Sequence, residues 1–322
     1  MVLVYVDHDG GEIDELSLQA VTYARELAAS TGEQLDAVAI GSAGAGLSGT
    51  LADYGVATLH VAGGIDGYAP LASARAVAEL AERLGTTVVL AAATPRGNEV
   101  LAHVGAITDL PMAADCVQVT PGSPTQVVRA RWGGSLIEEA SIHGSPALVT
   151  VVPHTFAAET GGDGKAEVAE FTPTLSDGDL LVVAKAAEAA EESSGVSLAD
   201  AKVIVSGGRG VGSAEGFAPL EDLAELLGGT IGCSRVVTGN GWRPHTEQVG
   251  QTGTKVAPDL YIACGISGAT QHIAGCRNAK TMIVINTDPE APIMGYADYA
   301  IIGDVSKVLP AIVEATKKAK AG

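Results

Sequence analysis

The sequence predicts an α/β protein made of two doubly wound parallel-sheet domains, the first with an antiparallel addition and the second Rossmann-like. Short apolar runs without polar alternation, typical of strands buried in a parallel sheet, alternate with segments of helical periodicity. The alternation stops at a small, acidic stretch and then starts again. A chain of 322 residues is also long for a single hydrophobic core.

The first series of strands and helices starts at the N-terminus. Val2–Val6 is apolar and rich in valine, which predicts a strand, and apolar residues then recur at helical spacing over 14–29. Because strands and helices keep alternating, the strands are predicted to lie parallel in one sheet. Further strands are predicted near 35–40, 56–61 and 86–91, and further helices near 70–84 and 98–107.

The pattern changes between 114 and 152. Val127–Trp132 alternates apolar with polar residues and is followed by a Gly-Gly pair, so we expect a hairpin that adds antiparallel strands to the first sheet. Residues 155–180 are mostly polar, with a strand-like segment at 168–171.

A linker is predicted between the two series. Residues 186–199 are small and acidic, which favours a short helix leading into a linker. The domains are therefore predicted as 1–198 and 199–322. The second series begins with a strand at Lys202–Ser206 and ends with a helix at about 305–319.

The charge distribution indicates where a ligand binds. The net charge of −19 argues against nucleic acid or an anionic membrane surface as a partner. Residues 1–199 carry 26 acidic and 8 basic side chains, a net charge of −18, whereas residues 200–322 carry 12 and 11, a net charge of −1. We therefore expect a phosphate-bearing ligand in the second part. The alternative is that the first domain has a more solvated surface.

Cellular location is predicted from the absence of export and membrane signals. The longest apolar runs are far shorter than the ~18 residues that a spanning helix needs, and the N-terminus lacks the basic region of a signal peptide. We expect a cytoplasmic protein with no direct membrane insertion. The cysteines have neither metal-binding spacing nor a CxxC motif, so they are predicted to be buried, reduced thiols: Cys116, Cys233, Cys264 and Cys276.

Two glycine-rich segments follow predicted strands of the second domain. They are Ser206–Gly212 and Gly265–Asn278. Glycine at a strand–helix turn tolerates positive φ and close approach of a ligand, and a helix N-terminus favours phosphate. Arg209 adds a charge to the first segment. Neither segment matches a nucleotide-binding or dinucleotide fingerprint, so structural turns are the alternative. For Gly41–Gly46 in the first domain, a flexible turn is favoured over a phosphate-binding one.

Polar residues surround these glycine-rich segments. In an open parallel sheet, the carboxyl ends of the strands share one edge, and ligands bind there. Six separate segments are therefore predicted to converge on one long ligand. Taken singly, His272 is better explained as a satisfied core or surface histidine, and the alternative for Arg235 is a surface charge. The polar residues are Arg209, Ser234, Arg235, Gln251, Thr252, Gln271, His272, Asn286 and Asp304.

Four motifs together resemble one known family, the alpha subunit of the electron transfer flavoprotein. The resemblance is close over about 202–322, and the order of elements in the first domain also fits. The motifs are SGGRGVGSAEGF at 206–217, QVGQTG at 248–253, APDLYIACGISGATQHIAG at 257–275 and INTDPEAPIMGYADYAIIGD at 285–304.

The resemblance implies an FAD cofactor bound mainly by the second domain. It assigns the pyrophosphate and sugars to Arg209 and to Ser267, Gly268, Ala269, Thr270, Gln271 and His272. It assigns the flavin ring and ribityl chain to Ser234, Arg235, Val249, Gly250, Gln251, Thr252 and, again, His272. Asn286 and Asp304 are expected at the adenosine end.

The resemblance also implies an electron carrier rather than a substrate-converting enzyme. No Ser-His-Asp set or carboxylate pair is visible in the sequence, so the chemistry is expected to be that of the cofactor. A cation or strong donor near the ring would ease flavin reduction, a role that suits Arg235 and His272.

The family further implies a heterodimer with a beta subunit. Electrons are expected from acyl-CoA dehydrogenases or other dehydrogenases and are expected to pass towards a membrane quinone oxidoreductase. Val127, Val128 and Trp132 are candidates for contact with the beta subunit, or they fill the core of their own domain.

Three other functions are alternatives. One is the alpha subunit of an electron-bifurcating flavoprotein that uses NADH and whose beta subunit carries a second flavin. Another is a stand-alone pyridine-nucleotide dehydrogenase, which the missing fingerprint disfavours. The third is a purely structural nucleotide-binding module.

Overall fold

The computed structural model describes residues 1–65, 67–134, 136–162, 164–184 and 197–321. Most of the predicted linker helix therefore lies outside the described residues.

The chain divides into two compact units, Met1–Glu188 and Ala189–Gly322. The predicted domain limits, 1–198 and 199–322, stay a prediction.

The first unit consists of alternating strands and helices. Its helices are α1 (Glu15–Thr31), α2 (Ser48–Asp53), α3 (Pro70–Leu84) and α4 (Pro95–Thr108). Its strands are β1 (Val2–Tyr5), β2 (His8–Asp9), β3 (Glu12–Ile13), β4 (Leu35–Ile40), β5 (Thr58–Ala62), β6 (Val88–Ala92), β7 (Met112–Thr120), β8 (Thr125–Arg131), β9 (Leu136–Ile142), β10 (Ala147–Val151) and β11 (Glu167–Phe171).

The main sheet of the first unit has the strand order β11-β5-β4-β1-β6-β10-β7-β8-β9. Strands from β11 to β7 pair in parallel, whereas β8 and β9 continue the sheet antiparallel from β7. This confirms the predicted parallel sheet with an antiparallel addition. The chain changes direction across the sheet between β1 and β6, since β4 and β5 lie on one side of β1 and β6 and β10 on the other.

The antiparallel addition is smaller than the sequence suggested. The changed pattern was predicted to run to residue 152, but β10 returns to the parallel part, between β6 and β7. All its residues, Ala147–Val151, are buried, as in a strand covered on both faces. The strand-like segment 168–171 forms β11, which pairs with β5 at the opposite edge.

Caps explain where two helices begin. The Asp14 carboxylate accepts hydrogen bonds from the backbone N–H groups of Leu16 and Ser17, so α1 begins after it. The helix predicted over 98–107 begins earlier, at Pro95, because the Thr94 hydroxyl accepts from the Gly97 N–H.

The hairpin of β8 and β9 has a buried base and an exposed tip. Val127 is 2% exposed and belongs to the core on one face of the first sheet. The alternative that this valine fills its own domain core is therefore correct. Trp132 is 82% exposed, and Leu136 and Ile137 beside it are also exposed.

The second unit contains a smaller, wholly parallel sheet. Its helices are α5 (Ala218–Leu227), α6 (Arg235–Gly239), α7 (Thr270–Cys276) and α8 (Val305–Ala321). Its strands are β12 (Val203–Gly207), β13 (Thr230–Cys233), β14 (Leu260–Cys264), β15 (Met282–Asn286) and β16 (Tyr299–Ile302).

The strand order of this sheet is β13-β12-β14-β15-β16, which confirms the predicted Rossmann-like class. Helices α5 and α8 pack on one face, where Phe217 and Leu309 are buried. Helix α7 packs on the other face, where Tyr261 and Ile273 are buried. Among the described residues, no helix is both long and apolar enough to cross a membrane.

Candidate cofactor site

The candidate site lies at the point where the second sheet changes direction. Strand β12 is followed along the chain by β13 on one side, and β14 then pairs on its other side. The connections after β12 and β14 therefore leave the sheet in opposite directions and open a crevice at its carboxyl edge, which is where doubly wound proteins bind ligands.

The two glycine-rich segments contact each other at this edge. The N–H of Gly208 donates to the carbonyl of Cys264 at 2.9 Å, and the N–H of Gly210 donates to that of Gly265 at 3.0 Å. A Cβ atom on Gly208 would lie 2.4 Å from the Gly265 oxygen. These glycines are therefore needed for the packing of one loop on the other, and their predicted role in close approach of a ligand stays a prediction.

Gly212 differs from the other glycines of this edge. Its φ is +93°, and a Cβ atom there would meet nothing within 4 Å. The helix predicted directly after the first loop is also absent from that place, because short 3-10 turns precede α5, which begins only at Ala218. The second loop does lead directly into α7, at Thr270, whose N-cap residue Ala269 makes no side-chain cap.

The turn that contains Val249, Gly250, Gln251 and Thr252 is tied to α7 and β13. The N–H of Gln251 donates to the carbonyl of Gln271 at 2.7 Å, and that of Val249 donates to Cys233 at 2.9 Å. A Cβ atom on Gly250 would lie 2.9 Å from the Gln271 oxygen. The tertiary structure thus brings the QTG turn and the Gln-His pair together.

Gln248 and Tyr261 are site residues that the sequence reasoning missed. The Gln248 amide accepts from the Thr238 hydroxyl at 2.7 Å and donates to that of Thr252 at 3.0 Å, so it holds the turn. The Tyr261 hydroxyl lies 2.9 Å from Nε2 of His272. Both residues lie within the motifs of the family, and this position was the only sequence signal that they belong to the site.

His272 is a buried, neutral side chain. It is 6% exposed, and burial lowers its pKa from 6.5 to about 4, although the Val249 carbonyl partly opposes this shift. Its Nδ1 atom forms no well-aligned hydrogen bond among the described residues. His272 can therefore act as a hydrogen-bonding group, but not as a cation, at neutral pH.

The two arginines of the site are exposed and unpaired. Arg209 lies in the turn after β12, and Arg235 begins α6 after β13. Among the described residues, neither forms an ion pair. Ser234, beside Arg235, is 9% exposed, and its hydroxyl has no hydrogen-bond partner in the described part of the chain.

Asn286 and Asp304 have structural partners of their own. The amide of Asn286 donates to the Ile266 carbonyl at 2.8 Å and accepts from the N–H of Asp288, which joins β15 to the second loop. The Asp304 carboxylate accepts from the N–H and hydroxyl of Ser306, and these bonds lower its pKa. Their adenosine role stays a prediction.

Ser267 and Gly268 border the same edge. The Ser267 carbonyl accepts from the N–H of Ile293 at 3.2 Å, and a Cβ atom on Gly268 would lie 2.3 Å from that nitrogen. The side chains of Ser267, Ala269, Thr270 and Gln271 are exposed.

The residues present fit a phosphate-bearing, hydrogen-bonding cofactor. Among the described residues, the edge offers two guanidinium groups without ion-pair partners and three buried polar atoms without well-aligned hydrogen bonds: Ser206 Oγ, Ser234 Oγ and His272 Nδ1. Unpaired buried polar atoms are costly, and a bound ligand would satisfy them. No cluster of metal-ligating side chains occurs within the described residues.

Comparison with known proteins decides the family. The family model described as the electron transfer flavoprotein domain matches residues 2–176, and the one described as the electron transfer flavoprotein FAD-binding domain matches residues 197–277. The electron transfer flavoprotein subunit alpha of Mycobacterium tuberculosis is 38% identical over 323 residues, 99% of each chain. The chain belongs to the electron transfer flavoprotein alpha subunit family.

Other members of the family match over a similar span. The subunit alpha of Thermoanaerobacterium thermosaccharolyticum is 34% identical over 329 residues, covering 99% of this chain and 98% of its own. Protein FixB of Clostridium saccharobutylicum is 35% identical over 324 residues, with coverage of 98% and 96%. Alpha subunits of this family work with a beta subunit.

Proposed function

We propose that this chain is the FAD-carrying alpha subunit of a heterodimeric electron transfer flavoprotein. In this proposal it accepts electrons from dehydrogenases, such as acyl-CoA dehydrogenases, and passes them towards a membrane quinone oxidoreductase. The observation that carries the proposal is the carboxyl edge of the second sheet, where unpaired arginines lie near buried polar atoms that lack partners.

Different residues of this edge would bind different parts of FAD. Arg209 and the backbone of Ser267–Gln271 would hold the pyrophosphate, because a guanidinium and free N–H groups match phosphate oxygens. Ser234, Arg235, His272 and the turn Val249–Thr252 would surround the flavin end. Asn286 and Asp304 would lie at the adenosine end. Bound FAD would supply reversible electron transfer at the flavin ring.

Arg235 would set the electrostatics of the flavin end. Its charge has no carboxylate partner among the described residues, so it remains available to an anionic form of the ligand. His272 is neutral because of its burial and would contribute a hydrogen bond rather than a charge. We therefore assign the charge and the hydrogen bond to different residues.

Exposed apolar surface supports a beta subunit as partner. The hairpin tip in the first unit exposes Trp132, Leu136 and Ile137. In the second unit every residue of β16 is exposed, including Tyr299 and Ile302, and this strand forms an edge of the sheet. Exposed apolar clusters and bare edge strands are typical of protein interfaces. We propose a cytoplasmic location, which agrees with four free, buried cysteines.

The FAD proposal is tested by the flavin content of the full chain co-expressed with a beta subunit. We expect one FAD per heterodimer, measured by absorbance after release. Two flavins would instead favour the electron-bifurcating alternative, and a complex without flavin would contradict the proposal. Expressed alone, the chain should be poorly flavinated or unstable, whereas a stable, fully flavinated monomer would show that no partner is needed.

A matched pair of arginine variants tests the site. Arg209→Ala should weaken FAD binding by roughly tenfold or more, because a charge-assisted hydrogen bond is lost. Arg83→Ala in the first unit removes an exposed arginine of α3, one that packs over the Phe171 ring, and should leave FAD affinity unchanged. Equal losses in both variants would contradict the assignment of the site.

A further inference from the structure

Beneath the candidate cofactor site lies a buried hydrogen bond between Tyr261 and His272. The Tyr261 side chain on β14 is fully buried, and its hydroxyl lies 2.9 Å from Nε2 of His272 on α7. The interaction joins a strand of the sheet to the helix that covers it.

Burial keeps both members of this pair neutral. It raises the pKa of Tyr261 well above its usual value and lowers that of His272 to about 4. At neutral pH the tyrosine therefore keeps its proton, and the imidazole has one protonated and one unprotonated nitrogen. Which nitrogen carries the proton depends on the direction of the hydrogen bond between them.

The surroundings favour Tyr261 as the donor. A fully buried hydroxyl needs an acceptor for its proton, because an unpaired donor is costly. Besides Nε2, the other acceptors near it are the thiol of Cys276, which is a weak acceptor, and the Ser206 hydroxyl, which forms no well-aligned hydrogen bond among the described residues. The Nε2 atom of His272 is the strongest acceptor within reach.

The other side of the ring is open to a ligand. Nδ1 of His272 is buried and forms no well-aligned hydrogen bond among the described residues. If Nε2 accepts from Tyr261, the neutral ring carries its proton on Nδ1, where it can be donated to an acceptor atom of a bound ligand.

We propose that Tyr261 is a positioning residue for the cofactor site: its hydroxyl donates to Nε2 of His272, holds the ring as the Nδ1–H tautomer and directs that N–H towards an acceptor atom of the flavin. This inference deepens the proposed function and rests on it. Tyr261 itself does not touch the cofactor. It acts through His272. Without the Tyr261 hydroxyl, the imidazole proton could lie on either Nδ1 or Nε2.

The tautomer can be measured directly in the full chain with its beta subunit. Histidine labelled with 15N gives a two-bond correlation spectrum that separates the two tautomers of each ring. His272→Gln identifies the signals of His272 by their disappearance. In the unaltered protein we expect the Nδ1–H pattern, both with FAD and after its removal, and an Nε2–H pattern would overturn the proposal.

Tyr261→Phe tests whether the hydroxyl causes this tautomer. The variant keeps the ring that fills the core, so we expect FAD to bind within about tenfold of its original affinity, while the pure Nδ1–H pattern is lost. Tyr5→Phe, which removes a buried hydroxyl from the first unit, should change neither result. An unchanged pattern in Tyr261→Phe would overturn the proposal. Should that variant fail to fold, the spectrum of the unaltered protein still decides.

The two proposals fail in different ways. Absence of FAD from the unaltered complex would contradict the proposed function, and the tautomer would still be measurable. A normal FAD content with His272 in the Nε2–H form would contradict only the role of Tyr261.

Discussion

In the first unit, the arginine at the carboxyl edge of the sheet is already paired. Arg96, after β6, lies 3.3 Å from the Asp7 carboxylate, after β1, and 4.9 Å from the centre of the Tyr68 ring. In the second unit, Arg209 and Arg235 lie at the same kind of edge, and among the described residues they have no carboxylate partner.

The two edges share a topology but differ in the pairing of their charged and polar groups. Both sheets are doubly wound, and in both the chain changes direction at the edge, between β1 and β6 in one and between β12 and β14 in the other. One cleft at this edge of the first unit, of about 320 Å³, has its arginine paired with Asp7. At the second edge, the arginines have no ion-pair partner and buried polar atoms lack hydrogen bonds among the described residues, which fits the anionic ligand proposed for it.

The largest expected effect concerns the packing of the second edge. Gly265 has φ +64°, and a Cβ atom there would lie 2.6 Å from the Cα of Gly210. Gly265→Ala should lower the free energy of unfolding by roughly 2–4 kcal/mol, since backbone strain adds to overpacking. Gly212→Ala, with open space around it, should cost only the strain of about 1–2 kcal/mol. Equal losses in chemical denaturation would mean that loop packing does not hold this edge.

The second prediction concerns the buried imidazole of His272 at the carboxyl edge of the second sheet. The pKa of His272 is about 4 in the folded protein and 6.5 as its ordinary value. The unfolded chain therefore binds the proton more readily than the folded chain does. The contribution of neutral His272 to the free energy of unfolding is fully present above pH 6.5 and is lost as the pH falls towards 4. The loss should be on the order of 3 kcal/mol at most.

A difference measurement isolates this contribution. Unfolding of the unaltered protein and of His272→Gln should be compared between pH 7 and pH 4. The variant should show a flatter decline over this range, and parallel curves would contradict a buried neutral His272.

The third prediction compares the paired and unpaired arginines. Arg235→Ala should lower the first one-electron potential of the bound flavin by about 60 mV, equivalent to ~1.4 kcal/mol, because a charge that stabilises the reduced ring is lost. Arg96→Ala should leave this potential unchanged and should instead destabilise the first unit, since Asp7 loses its partner. A potentiometric titration in which Arg235→Ala behaves like the unaltered protein would contradict the role of Arg235.

The smallest expected effect separates capping from ligand binding at Asp304. Asp304→Ala removes the acceptor for the Ser306 N–H and should lower the melting temperature by about 2–4 °C, whereas Asp304→Asn keeps a capping oxygen and should change it less. If Asp304 also binds adenosine, both variants should weaken FAD binding. Unchanged FAD affinity in both variants would mean that Asp304 caps α8 and does not bind adenosine.

The sequence predicted most elements of the fold because their signals are local. The apolar spacing over 14–29 indicates α1, and continuous apolar runs indicate β1 and β12. Val127 and β10 were harder to place. A valine in an alternating strand suits either a core or an interface, and a buried strand pairs with whichever neighbours the topology supplies.

The candidate site was predicted as a set of residues with expected ligand groups, but the contacts among these residues were not predicted. The motifs named the Gln-His pair, yet no pattern indicated that His272 would be buried against Tyr261 and neutral. Nor could the sequence separate Arg96 from Arg235, because the ion pair of Arg96 joins residues 89 positions apart. Such roles depend on contacts between distant parts of the chain.

By itself, the sequence determined the two series of strands and helices, the acidic first part and the motifs of the family, since periodicity, composition and short spacings belong to neighbouring residues. Only the tertiary structure decided that the backbones of Gly208 and Gly265 pack closely against each other, that Asp7 pairs with Arg96 and that the Tyr261 hydroxyl lies beside His272. The physical reason is that close packing, desolvation and charge pairing act through space, and the distances involved exist only once the sheets have formed.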